Sequence, residues 1–189
     1  SRVDFERVRD CRDIKLFISA TNVHTGRGKV FSGHEVSADS VMASSCLPLL
    51  FRAVEIDGVP YWDGGFMGNP VLYPFFYECR SDDILLVQIN PVERKSTPVS
   101  SREILNRMNE ITFNASLTKE LRAIEFVTRL IESEDLDRDR YKRIRMHLLE
   151  ASDELVALDA SSKLNAEWRF LSHLRDIGRH AAESWLDTN

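Results

Sequence analysis

Asp63 closes a short apolar run, Val59-Pro60-Tyr61-Trp62, and is followed at once by Gly64 and Gly65. A carboxylate therefore stands where a strand stops and a sharply bending backbone begins. Adjacent glycines let the chain turn tightly and approach a neighbour closely. A carboxylate in such a place can take a proton as a general base, or it can cap the turn. The triplet alone does not choose between these, because short motifs are weak evidence without context.

The elements around it must supply that context. Val54-Glu55-Ile56 and Val59–Trp62 flank Asp57-Gly58, a pair that favours the positive φ angles of a two-residue hairpin turn. Ile14 to Asn22 has the alternation of a strand, and Lys29-Val30-Phe31 returns after the turn 24–28, which predicts a first hairpin. Ser37 to Leu47 is predicted as a helix with small residues on one side, capped by Ser37 or Asp39 and ended by Pro48. Pro70 to Glu78 is predicted as a helix with Pro70 in its first position. Asp83 to Asn90 is nearly continuously apolar and reads as an interior parallel strand covered on both faces.

Further along, Ser100 and Glu103 have capping-box spacing, and the apolar stripe from Ile104 to Ile131 predicts one long helix, or two joined near 112–116. The acidic stretch Glu132-Ser133-Glu134-Asp135 ends it. Tyr141 to Leu149 reads as a strand with Ile144, Met146 and Leu148 inward and Arg143, Arg145 and His147 outward; a helix is the competing reading. Ser162 to Asp176 and Arg179 to Asp187 read as closing helices separated by Gly178. Strands separated by helical segments imply an α/β layered fold. A domain of that kind ordinarily opens with a β-α-β unit, whereas this chain runs from its first strong strand into a hairpin, as though it began in the middle of a fold.

Composition narrows the function classes. The 189 residues, 43% hydrophobic and 29% charged with net charge −5, describe a globular protein rather than a disordered one or a nucleic-acid binder with a basic face. The basic residues from Arg138 to Arg145 are diluted by Asp137 and Asp139 and read as a solvated face. Cys11, Cys46 and Cys79 lack metal-type spacing and read as reduced thiols of a cytosolic setting. His173 and His180 read as helix-surface residues. No metal site, cofactor or calcium loop is expected.

Four features in order resemble one family: LFISATNVHTGRGKVFSG at 16–33, MASSCLPLLF at 42–51, GVPYWDGGFMGNP at 58–70 and DILLVQIN at 83–90. Together they are similar to the C-terminal part of a patatin-like phospholipase, closely over residues 14–90 and loosely beyond. The resemblance implies a three-layer α/β/α acyl hydrolase fold, present here in part, with a Ser–Asp dyad. The aspartate of its Asp-Gly-Gly motif corresponds to Asp63, with Gly64 and Gly65 supporting the loop. The family's serine lies in a G-x-S-x-G turn and its oxyanion donors in a Gly-rich loop. No serine here has glycines two positions to either side, and Gly64-Gly65 is the only adjacent glycine pair. Ser44 and Ser45 belong to the family's small-residue helix rather than its nucleophile turn.

The expectation is thus a lipid acyl hydrolase whose Asp63 base is present and whose nucleophile is not, inactive alone. Its partners would be a lipid or acyl-ester substrate and the missing N-terminal half of the domain. Residues 1–97 would form the C-terminal part of the α/β core and 98–189 a mainly helical remainder. The alternative is a non-catalytic lipid- or protein-binding module, docking through Leu47–Phe51 or the helical stripe, with contact at a membrane surface. For residues 104–131, core packing is the favoured use of the stripe.

Overall fold

The computed structural model describes residues 3–90, 92–133, 136–137, 140–150, 155, 158, 162 and 165–188. They mix helices and strands, consistent with the α/β class. They divide into two compact units, Ser1–Cys79 with Ala115–Ala123, and Arg80–Asn114 with Ile124–Asn189.

The first unit is built on a four-stranded sheet. Its strands are β1 (Phe17–Asn22), β2 (Gly28–Ser32), β3 (Val54–Ile56) and β4 (Val59–Asp63), in the order β2-β1-β4-β3. All neighbours are antiparallel. Both predicted hairpins form. In the first, the Asn22 carboxamide oxygen accepts from the N–H groups of His24 and Thr25, so the side chain organises the turn. In the second, Asp57 and Gly58 take φ of 51° and 75°. Those paired positive angles match the right-handed twist of the flanking strands, which is why Asp-Gly serves there.

A short helix, α1 (Phe5–Asp10), precedes the sheet, and α2 (Ala38–Ser44) packs against it. Ser37 caps α2 in a reciprocal arrangement with Ser40. Ala43 is fully buried and joins Ala20, Phe31 and Tyr61 in the core, where the Phe31 and Tyr61 rings meet edge to face at 5.3 Å. The helix stops at Ser44, before the predicted Leu47. The hydroxyls of Ser44 and Ser45 return to the Val41 carbonyl, and the Cys46 N–H bonds back three residues to Ala43, so the last turn tightens before Pro48 is reached.

Helix α3 spans Tyr73–Glu78 rather than starting at Pro70. Pro74 occupies its first turn, while Pro70 follows a cis peptide bond in the preceding loop. Two prolines four apart can each open a helix, and spacing could not rank them.

The second unit contains β5 (Asp83–Gln88) and β6 (Arg145–Glu150), parallel and in register from Asp83↔Arg145 to Gln88↔Glu150. The predicted parallel pairing is present, but β5 is covered on one face only. Ile84 and Leu86 are buried, whereas Leu85, Val87 and Ile89 are exposed. The alternation of β6 is also looser than predicted: Ile144 is buried and Arg145 exposed, but Leu148 is exposed as well.

The stripe after Ser100 forms one helix, α4 (Ser101–Glu132), opened by the predicted Ser100–Glu103 box. It buries Leu117 and Ile131 but leaves Ile104, Met108 and Ile111 exposed, so core packing accounts for only part of the stripe. In this unit Glu110 accepts a bidentate pair of bonds from Arg94 and a third from Arg107. Burial alone would raise the Glu110 pKa, but these guanidinium bonds outweigh it and hold the carboxyl below its ordinary value.

The final helix, α5 (Trp168–Thr188), is continuous through Gly178. A glycine within a helix lowers its stability without breaking it, and the stripe through Leu174, Ile177, Ala181 and Trp185 is half-buried on both sides of it. His173 and His180 are exposed on this helix. The expectations touching Ser1, Pro91, residues 134–135, Arg138, Asp139 and the segment 163–164 lie outside the described residues. Among the described residues no helix is long and apolar enough to cross a membrane.

Candidate functional site

Asp63 is the last residue of β4 and opens a 3₁₀ turn over Gly64–Phe66. Its main chain is held from two directions. The N–H donates to the carbonyl of Cys46, just past α2, at 2.9 Å, and the carbonyl accepts from the buried Thr21 hydroxyl at 2.8 Å. Thr21 is fixed by the sheet, since Ala20 of β1 pairs with Asp63 and Thr21 with Trp62, while Cys46 follows directly on the end of α2. The half-buried side chain folds over its own turn, where Oδ1 accepts from the Gly65 N–H at 2.7 Å. The carboxylate is therefore a turn cap and an oriented group at once.

The two glycines differ in their reasons. Gly65 is buried and supplies the N–H that orients the carboxylate. Gly64 is buried against β1: a Cβ built on it would lie 2.6 Å from the Ser19 carbonyl carbon and closer still to that residue's carbonyl and hydroxyl oxygens. No side chain fits there without moving a strand. The three residues singled out in the sequence thus form one hydrogen-bonded turn seated on the first unit's sheet.

The loop continues in the same ordered way. The N–H groups of Met67 and Gly68 both donate to the Gly64 carbonyl at 3.0 Å. Past the turn, the Asn69 N–H donates to the Ser116 hydroxyl at 3.3 Å and the Leu72 N–H to Glu120 Oε2 at 2.9 Å. Burial raises the Glu120 pKa, and the bond from Leu72 offsets that in part. Phe66 and Met67, three and four residues after Asp63, have exposed apolar side chains.

The hydroxyls of Ser44 and Ser45 donate to carbonyls of their own helix. A cavity of about 210 Å³ in the same unit has Arg9, Cys11, Lys15, Leu16, Phe17 and Glu78 among its walls, but not Asp63, Gly64 or Gly65. Among the described residues, no group of three or more His, Cys, Asp or Glu side chains could hold a metal ion. Sequence reasoning missed Thr21, Ser116 and Glu120. Thr21 is one hydroxyl in a strand; for the other two, the only signal is their four-residue spacing on one helix face.

A sequence model of the patatin-like phospholipases matches residues 7–76, which contain Asp63, Gly64 and Gly65. That family comprises lipid acyl hydrolases. No curated protein matches the chain.

Proposed function

We propose, from the premise that residues 7–76 belong to the patatin-like phospholipase family, that Asp63 is the general base of a Ser–Asp dyad cleaving acyl esters of lipids. The serine would come from outside these 189 residues, since none here stands in a G-x-S-x-G turn. The observation that carries this reading is the immobilised carboxylate. Asp63 ends a strand, and its N–H, carbonyl and Oδ1 are all bonded to fixed neighbours.

General-base catalysis depends first on geometry. In the proposed reaction the carboxylate accepts the serine hydroxyl proton as the oxygen attacks the ester carbonyl. Collapse of the tetrahedral intermediate breaks the bond to the alcohol, which takes that proton as it leaves. Water then repeats the sequence on the acyl-serine and releases the fatty acid. The bond from the Gly65 N–H to Oδ1 orients the carboxylate for that transfer. The oxyanion donors, like the serine, would be supplied by the N-terminal half of the domain.

The test is Asp63→Asn in the complete protein. Ester hydrolysis should fall by about 10²–10⁴-fold, the usual worth of a positioned base, while the fold persists. Near-normal turnover would remove Asp63 from the mechanism. The 189-residue chain alone should be inactive, and robust ester hydrolysis by it would reveal a nucleophile of its own.

One observation favours the alternative of a non-catalytic binding module. Leu49 is 98% exposed, and Leu50 and Phe51 beside it are more than half exposed. Adjacent exposed apolar residues mark contact surfaces more often than isolated ones do. In liposome flotation, a chain carrying Leu49→Asp and Phe51→Asp should lose lipid association that the unaltered chain shows. Absence of flotation by the unaltered chain on any lipid composition would end the membrane version.

A further inference from the structure

Helix α4 contributes two side chains to the first unit that meet the main chain just beyond the Asp63 turn. Ser116 and Glu120 are one helical turn apart and therefore share a face. Their acceptors receive the N–H groups of Asn69 and Leu72, which bracket the Asn69–Pro70 peptide. Leu72 is buried and immediately precedes α3, yet its own side chain offers no cap to that helix. Without Glu120 this N–H would lose the carboxylate that now receives it, a costly change for a buried donor.

The entrance to the turn is held by Cys46 and Thr21. Between the Gly64 carbonyl, which receives both Met67 and Gly68, and the Ser116 contact at Asn69 there is no slack in the chain. We propose that Ser116 and Glu120 are positioning residues for Asp63, holding the exit of its loop so that the carboxylate keeps its direction. This deepens the dyad reading and rests on it for its catalytic meaning. The acceptor at position 120 does the holding, and its partial burial marks it as an unusual place for a carboxylate without a structural task.

The experiment uses the 189-residue chain and reads two quantities: amide hydrogen exchange, and the titration of the Asp63 carboxyl by ¹³C NMR. Glu120→Ala and Glu120→Gln remove the same charge, but only the second keeps an acceptor, so comparing them isolates geometry from electrostatics. Glu120→Ala should speed exchange of the amides from Met67 to Leu72 on the order of tenfold, the scale of one lost charged hydrogen bond. It should also displace the Asp63 titration midpoint from that of Glu120→Gln, which should retain most of the protection. Exchange in β5 and β6 should be unchanged. Equal Asp63 midpoints in the two variants would overturn the proposal.

If Glu120→Ala does not fold, Ser116→Ala provides the milder test. Faster exchange at Asn69 with a moved Asp63 midpoint supports the proposal, and an unmoved midpoint refutes it. The base assignment can fail separately. Full turnover by Asp63→Asn would remove the catalytic role and leave this coupling measurable. Equal midpoints beside an inactive Asp63→Asn would remove the coupling and leave the base.

Discussion

Replacing Gly64 by alanine adds a single carbon, and the structure says where it goes. The new Cβ would stand 2.6 Å from the Ser19 carbonyl carbon, with two oxygens of that residue nearer still. The obstacle includes the Ser19 main-chain carbonyl as well as its hydroxyl, and Ser19 is fixed in β1 by its pairing with Val30. Overpacking of this kind costs about 1–3 kcal/mol, and a carbonyl in a paired strand belongs near the top of that range. Alanine returns about 0.4–1 kcal/mol by stiffening the unfolded chain. The net expectation is a loss of about 2 kcal/mol from the first unit. With a urea slope of about 1–3 kcal/mol per molar, the unfolding midpoint should fall by roughly 1 M. Trp62 adjoins Asp63 in sequence, and the chain's other two tryptophans, Trp168 and Trp185, lie in α5. Replacing those two by phenylalanine makes Trp62 fluorescence a local reporter of the titration. Gly178→Ala is the internal control. A Cβ there meets nothing within 4 Å, so the same substitution in a helix should stabilise by about 0.5–1 kcal/mol. A Gly64→Ala chain as stable as its parent would refute the close approach of the turn to β1, and with it the account of why glycine follows Asp63.

Two partly buried carboxylates should respond to acid in opposite senses. Glu120 has a raised pKa, so the folded chain binds its proton more tightly than the unfolded one, and stability falls as pH rises from the ordinary carboxylate value through the raised one. Glu120→Gln keeps an acceptor for Leu72 and removes that charge; its urea midpoint should gain on the parent between pH 4 and pH 7, and a constant difference would contradict the burial argument. Glu110 has a lowered pKa, so its stabilisation is full above the ordinary carboxylate value and is lost as pH falls through the lowered one. Glu110→Gln should destabilise the second unit by about 1–2 kcal/mol at pH 7, the scale of charge-assisted bonds, with the difference shrinking below pH 4.5; thermal unfolding across that range measures it.

The sequence by itself determined the local pieces. The Asp57-Gly58 turn, the Ser37 and Ser100 caps and the length of the stripe after Ser100 rest on interactions within a few residues, and each became the element it predicted; the strand expected over 14–22 formed only from Phe17, with Ile14 and Leu16 exposed before it. The Asp-Gly-Gly turn was legible for the same reason, because its defining bond, Gly65 N–H to Asp63 Oδ1, spans two residues. Boundaries set by competing local effects were less legible. Ser44 and Ser45 ended α2 before Pro48 could, and Pro74 rather than Pro70 opened α3. Tertiary structure alone decided what holds the Asp63 turn and the loop that follows it. Thr21, Cys46, Ser116 and Glu120 lie from 17 to 57 positions away in the chain, and no period or motif joins residues so separated. It also decided which face of β5 is covered, since an apolar run permits burial on both sides without requiring it. Short-range order follows from backbone preference and neighbouring side chains, whereas the seat of this turn depends on which distant donors and acceptors the folded chain brings to its main chain.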